Sequence, residues 1–362
     1  MNKYSSQNPF LTKIIKREVI SKQEKDTFLI ILDIKNFEDA FLPGDSIAII
    51  AENSEKNVKK TIKYMRANED EIVKNPKTGE KVSLYKFLKE SANLSKIKTS
   101  LIELLDKNLP QKKVIELINS YHIWDLLKKF KNHNLTAQQI IDVMLPMLPK
   151  LYSVSSARSM YPNEAHLLIR EVKYVLNNVQ RRGVATEFLC KGAKVNKTLI
   201  KIYIQETSSF CLPKERDLPI IMIGAGAGLA PFRAFLEERY INNHEGLNWL
   251  FFGERKREND FYFKNFLEDL ETKNLLRLTL AFSRDQEEKI YVQDRMYENR
   301  SDIWQWLQEK AIIYVCGSSN LGKEVDNKLL EIFKSEGNLS FEEAKNFLLL
   351  LLKEKRYLKD VY

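Results

Sequence analysis

The stretch IMIGAGAGLAPFR, Ile221–Arg233, decides the fold. It runs from an apolar, β-branched segment through three alternating glycines into residues with helical apolar spacing. Pro231 suits a first helical turn, where its missing N–H is no loss. Gly224, Gly226 and Gly228 let the backbone pass close to a neighbour. The helix N-terminus that follows favours an anion such as a phosphate. The spacing is GxGxG, with Leu229 where the common dinucleotide fingerprint has its third glycine. The same residues therefore also read as a plain tight turn between strand and helix. Working outward, apolar runs recur at NWLFFG (248–253), RLTLAFS (277–283) and AIIYVCGSS (311–319). Amphipathic segments lie between them: APFRAFLEERYI (230–241), DFYFKNFLEDLE (260–271), SDIWQWLQEK (301–310) and KEVDNKLLEIF (323–333). Strands alternating with helices predict βαβ units on a parallel sheet.

The remainder of the chain differs in pattern. KIIKREVI (13–20), TFLIILDIK (27–35) and SIAIIAE (46–52) predict strands, and strands return at KLYSVSSA (150–157), EAHLLIREVKYV (164–175) and TLIKIYIQE (198–206). Residues 57–148 carry helical apolar spacing throughout, as in VKKTIKYMRA (58–67) and KVIELINSYHIWDLLKKF (113–130). The order β, α, β, α/β predicts a helical block inserted into a β domain.

Composition narrows the class. The 362 residues are 44% apolar and 30% charged, as in a globular protein with two or three domains. The longest apolar run, FLLLLL (347–352), is far below the roughly 20 residues of a membrane span. No uninterrupted apolar leader follows Met1, so a cytoplasmic location is expected. Cys190, Cys211 and Cys316 cannot pair fully, which suits reduced thiols. The four histidines form no metal-ligand spacing, and no metal is expected. The net charge of +9 is matched by residues 56–133, with 18 Lys/Arg against 9 Asp/Glu. That excess reads as solvated helix faces or as a surface for an acidic partner. No nucleic-acid-binding signature accompanies it.

FSRDQEEKIYVQ, Phe282–Gln293, follows the strand RLTLAF, so Ser283 and Arg284 fall at its carboxyl end, where open α/β sheets bind ligands. Lys289, Tyr291 and Gln293 have period-two spacing, and an extended segment would point all three one way. Two cations with hydroxyl donors suit a phosphate monoester, here the adenosine 2′-phosphate of NADPH. Glu254 offers the rival reading, a carboxylate after the second strand that holds the ribose of NADH. KLYS at 150–153 reads as a strand with a hydroxyl-bearing end. RRGVATEFL at 181–189 reads as a glycine turn opening a short helix that could hold a phosphate.

Together these motifs resemble the FAD/NADPH-binding half of the diflavin reductase family, most of all its NADPH-dependent sulfite reductase branch. The resemblance runs from NPFL (8–11) to the last residue. Its most specific stretches are IMIGAGAGLAPFRAFLEER, NWLFFGER, AFSRDQEEKIYVQDRM, IYVCG and RYLKDVY. It implies an antiparallel FAD-binding β-barrel (1–56 and 149–215) with an inserted helical connecting domain (57–148). A parallel-sheet NADPH-binding α/β domain (216–362), ferredoxin-NADP reductase-like, would follow.

By the same resemblance, Lys150, Leu151, Tyr152 and Ser153 would meet the flavin, with Tyr152 and Ser153 flanking its ring. Leu168, Ile169, Arg170 and Tyr174 would line its adenosine side. Gly183, Val184, Ala185 and Thr186 would hold its pyrophosphate, and Tyr362 would stack on the ring. NADPH would meet Gly226, Ala227, Ser283, Arg284, Lys289, Ile290, Tyr291, Val292, Gln293 and Glu324. Ser153, Cys316 and Asp360 match the trio around the hydride path.

Some positions depart from the family pattern. Lys150 replaces an Arg, and so offers a point charge in place of a bidentate fork. Ala227 replaces a Thr, and Ser318 an Asp. The first strand begins within about ten residues of Met1, which implies a chain without the family's flavodoxin-like FMN domain. The implied activity is NADPH-dependent reduction of FAD. Single electrons would then pass to a separate FMN/flavodoxin-like or other acceptor protein, and on to a sulfite reductase haemoprotein. A general flavodoxin or ferredoxin reductase, or a non-catalytic flavin-binding scaffold, are the other readings.

Overall fold

A computed structural model describes residues 2–22, 26–207 and 209–362. The first part contains β1 (Phe10–Ser21), β2 (Thr27–Asp33) and β3 (Ser46–Ile50). A helical segment follows, with α1 (Glu55–Met65), the hairpin β4 (Ile72–Lys74) and β5 (Lys81–Ser83), α2 (Leu84–Glu90) and α3 (Thr99–Leu105). It continues through α4 (Gln111–Ser120), α5 (Ile123–Lys129) and α6 (Ala137–Asp142). The chain then returns to β6 (Lys150–Ser153), β7 (Glu164–Arg170), β8 (Lys173–Leu176), β9 (Val179–Arg182), α7 (Val184–Glu187) and β10 (Leu199–Gln205).

Antiparallel pairing gives the strand order β6-β3-β10-β1-β2-β7, and a bridge from Val154 to Leu167 joins the two edges into a barrel. Period-two alternation fills it. Ile200, Ile202 and Ile204 of β10 point inward with Ile14, Ile30, Leu32, Ile47, Ile49, Leu167 and Ile169. The helical segment packs on its own core. In α1, Val58, Thr61, Ile62 and Met65 are buried at helical spacing, which leaves the intervening lysines outside. The β4–β5 hairpin interrupts what the sequence presented as an all-helical block. Its tight turn places Gly79 at φ +75°.

The last part comprises β11 (Ile220–Ala225), α8 (Leu229–Ile241), β12 (Asn248–Glu254), α9 (Arg257–Asp260), α10 (Lys264–Thr272) and β13 (Arg277–Phe282). It ends with α11 (Val292–Glu298), α12 (Arg300–Gln308), β14 (Ile312–Gly317), α13 (Ser319–Glu336), α14 (Phe341–Lys353) and β15 (Tyr357–Val361). All its strand pairs are parallel, in the order β13-β12-β11-β14-β15. The chain moves outward from β11 first on one side and then on the other. The topological switch point therefore lies between β11 and β14, where open sheets have a ligand crevice. Among the described residues, no helix is long and apolar enough to cross a membrane.

Helix α8 is buried nearly all round because it lies between the parallel sheet and the barrel. Its polar residues are paired accordingly. Arg233 bonds Glu237 at 2.8 Å, approaches His166 of β7 at 3.2 Å and stacks over Phe263. Ala157 N–H donates to Glu237 at 2.9 Å. Further polar contacts join barrel to sheet: Ser21 to Asp260 at 2.6 Å, Thr27 to Tyr262 at 3.1 Å and Arg170 to Glu254 at 3.0 Å.

Candidate flavin and nicotinamide site

The switch point is crowded by backbone. A Cβ on Gly228 would lie 2.1 Å from the Cys316 carbonyl oxygen, so only glycine lets the turn pack against β14. Gly226 has φ +59°, a left-handed value that glycine adopts without strain. Register then decides what stands beside the turn. Cys316 of β14 pairs with Asp360 of β15, and Ser153 reaches across from the end of barrel strand β6. Its Oγ donates to Asp360 Oδ2 at 3.0 Å, and Cys316 Sγ lies 3.9 Å from the same oxygen. Burial and the adjacent Asp360 carboxylate hold the Cys316 thiol well above its usual pKa. It is a neutral, polarisable group rather than a nucleophile.

Tyr362 follows directly. Its backbone N–H donates to Gly317 O and its carbonyl accepts from Ser319 N–H, both at 3.0 Å. Those bonds hold the segment after β15 in place, while Tyr362 as a whole residue is 68% exposed.

On the barrel side, Lys150 and Leu151 are exposed on an edge strand, and Tyr152 packs half-buried against the barrel core. Two expected contacts change character. The Ile169 side chain belongs to the barrel core and Leu168 to the core beneath the parallel sheet. Only Arg170 of that trio presents a polar side chain, and its Nε is buried with no partner among the described residues. The Tyr174 hydroxyl is hydrogen-bonded to His122 Nε2 at 2.9 Å, and Arg181 bonds Asp125 at 2.7 Å. His122 Nδ1, Trp124 Nε1 and Arg181 Nε around them are buried and unpartnered among the described residues.

Gly183 caps α7, and Thr186 Oγ1 accepts from Val172 N–H at 3.2 Å while donating to Gly183 O at 3.1 Å. Val184 and Ala185 complete that first turn, whose N–H groups lack helical partners. Beside it the buried Glu171 carboxylate gathers Lys173, Arg182 and Lys191 at 3.0, 3.0 and 3.2 Å. Three cations around one anion leave this corner electropositive. Orphaned donors, a free helix turn and surplus positive charge fit an anionic, aromatic group such as FAD. Neither His122 nor Arg181 was singled out from the sequence, because nothing in local spacing ties a helix start to a hairpin 52 residues on.

On the nucleotide side, Ser283 follows β13, with its N–H 2.9 Å and its Oγ 3.3 Å from the Glu254 carbonyl. Arg284 and Lys289 are exposed, and among the described residues neither side chain has an ion-pair partner. Free cations at a strand's carboxyl end fit an added phosphate. The expected extended run from Lys289 to Gln293 is not formed. Tyr291 is the N-cap of α11, its N–H donates to Asp294 at 2.8 Å, and Gln293 lies in the first helical turn. Val292 is buried with Met296 and packs under Gly253, so its side chain faces the core; Ile290 is half-buried.

Ala227 sits half-buried in the turn, and Glu324 is half-buried on α13. Ser318 caps α13 through its Oγ, which accepts from Leu321 N–H at 3.3 Å. It thereby meets the capping demand that an Asp would also meet. Glu254 is already engaged. Its side chain is 3% exposed, and it accepts from Arg170 and Tyr262 at 3.0 Å and from Arg255 N–H at 2.8 Å.

Comparison with known proteins gives two family matches along the chain. Residues 2–122 and 80–188 match the FAD binding domain family, and residues 222–327 match the oxidoreductase NAD-binding domain. The chain is 34% identical over 99% of its length to the NADPH sulfite reductase flavoprotein alpha-component of Buchnera aphidicola from Schizaphis graminum, covering 61% of that protein. The corresponding proteins of Bacillus subtilis and Mannheimia succiniciproducens are 33% and 35% identical over 99% of the chain, which covers 62% of each. The chain thus spans about three fifths of the length of these relatives. With a flavin corner on the barrel and a nucleotide edge on the parallel sheet, the chain belongs to the FAD binding domain family and couples that domain to an oxidoreductase NAD-binding domain.

Proposed function

We propose that the chain is an NADPH-dependent FAD flavoprotein reductase. It would take hydride from NADPH onto FAD and pass electrons singly to a flavodoxin-like or other one-electron acceptor protein, in the service of sulfite reduction. The observation that carries this reading is the Ser153–Asp360–Cys316 cluster, built from both domains at the switch point. Bound FAD and NADPH supply the redox chemistry; the chain supplies position and charge.

Asp360 would supply the carboxylate that stabilises positive charge on a bound nicotinamide, and Ser153 holds that carboxylate by donating to it. Cys316 adds a polarisable, uncharged surface. Tyr362, held by its backbone, would cover the flavin and swing away when nicotinamide binds. Lys150, Gly183 to Thr186 and Tyr174 would hold FAD from the barrel, whereas Arg284 and Lys289 would hold the 2′-phosphate. The sulfite connection is supported by the relatives' names.

The test is anaerobic titration of the purified, flavin-loaded protein with NADPH. The flavin absorbance is expected to bleach, and ferricyanide to be reduced, with Ser153→Ala slowing the bleaching per bound flavin. A flavin that stays oxidised under millimolar NADPH would leave only a non-catalytic flavin-binding scaffold.

A further inference from the structure

The Arg170–Glu254 ion pair crosses the seam between barrel and sheet at 3.0 Å. Glu254 is the last residue of β12, the strand next to the glycine turn. In a dinucleotide-binding sheet, a carboxylate there accepts from ribose hydroxyls and so selects the coenzyme without a 2′-phosphate. Its location meets that need, since a Cβ on Gly226 would lie 3.2 Å from Glu254 Oε1. Yet the same Cβ would lie 3.1 Å from Arg170 Nη1, because a guanidinium from the other domain occupies that position. Arg170 at 3.0 Å and Tyr262 at 3.0 Å take one carboxylate oxygen, and Arg255 N–H takes the other at 2.8 Å.

We propose that Arg170 is a specificity-determining positioning residue: it crosses the domain seam to neutralise and withdraw Glu254, and so lets this nucleotide edge prefer a 2′-phosphorylated coenzyme. The inference rests on the reading of Arg284 and Lys289 as the 2′-phosphate cations. An uncompensated carboxylate at the end of β12 would oppose them twice. It would repel the added phosphate, and it would offer ribose hydroxyls an acceptor that the unphosphorylated coenzyme can use. Glu254 and that cation cluster are directly linked, for Ser283 donates its N–H to the Glu254 carbonyl at 2.9 Å. The fold therefore keeps an acid where NADH-selecting sheets keep one, and silences it from the flavin domain.

The experiment measures Kd for NADP+ and NAD+ by calorimetry on the flavin-loaded protein, alongside kcat/KM for both reduced coenzymes. Arg170→Met is expected to lower the NADP+/NAD+ affinity ratio by about tenfold or more, the scale of one charge-assisted contact. Glu254→Gln is expected not to lower it, and the double variant is expected to stay within about threefold of wild type, since removing both partners leaves no stranded charge. Because Arg170→Met strands a buried carboxylate, Arg170→Gln serves as the second variant and is expected to shift the ratio the same way. An unchanged ratio in both Arg170 variants overturns the inference, as does an equal fall in Glu254→Gln. A wild type that binds NAD+ as tightly as NADP+ instead removes the reading beneath it.

Discussion

Arg284 and Lys289 give the sharpest test of coenzyme selection, because their substitution isolates one interaction. Both side chains are exposed, and among the described residues neither is paired. Replacing either by Ala should therefore leave the fold within about 0.5 kcal/mol of wild type, as for surface positions that lack a structural partner. A charge-assisted bond to a phosphate is worth about 1.5–3 kcal/mol, or roughly 10- to 150-fold in affinity. Exposure to solvent and salt places these two at the lower end, so each single variant should lose about tenfold in kcat/KM for NADPH. The NADH value should change by less than about twofold, since no phosphate reaches the cations. Two cations on one phosphate share its charge, so the double variant should fall short of the product of the single effects. Ferricyanide turnover under each coenzyme, at two ionic strengths, measures all of this; added salt should shrink the wild-type preference. An equal loss with both coenzymes would mean that these cations hold something common to both. A loss with neither would mean that the opening after β13 binds no nucleotide.

Two other expectations concern the flavin corner and the terminus. His122 is buried, and burial with the nearby Arg181 depresses its pKa from 6.5 to about 4. Between those values the unfolded chain binds the proton that the folded chain refuses, so stability should fall as pH falls through this window, by about 2 kcal/mol at pH 5 relative to pH 7.5. Urea unfolding at the two pH values should show that loss, and His122→Gln should remove about that much of it; parallel pH dependences would refute the assignment. If the Tyr362 ring covers the flavin, truncation after Val361 removes a barrier to nicotinamide stacking, and this should raise NADH use relative to NADPH, whereas an unchanged ratio would make Tyr362 a bystander.

The elements with a strong period were readable before any coordinates. Barrel strands such as TLIKIYIQE alternate inward and outward, and the helices between β11 and β15 other than the all-round buried α8, such as α10 and α13, repeat at 3.6 residues, so the β, α, β, α/β order could be read directly. What escaped was short or ambiguous. The three-residue strands β4 and β5 are too brief to show a period inside a helical block. The spacing of Lys289, Tyr291 and Gln293 fits an extended run, but Asp294 accepting from Tyr291 N–H starts a helix there, and that acidic first-turn signal competed with the period-two reading.

The site divides along a different line. Each half has a local signature: glycines before α8, a glycine before α7, a cation pair after β13. The pairings across the seam have none, because Ser153 and Asp360 are 207 residues apart and belong to different layers. The resemblance to a family could name those two residues, yet it could not say what becomes of Glu254. Read along the chain, that carboxylate argued for NADH. Read in the fold, it is answered by Arg170 from a strand whose other residues, Leu168 and Ile169, are fully committed to packing. A side chain at the end of a strand is free to serve the neighbouring domain just where its predecessors in the strand cannot. If Arg170 holds Glu254 away from the coenzyme, coenzyme choice is set at the interface between the domains, and substitutions in the barrel should alter it as surely as substitutions in the nucleotide edge.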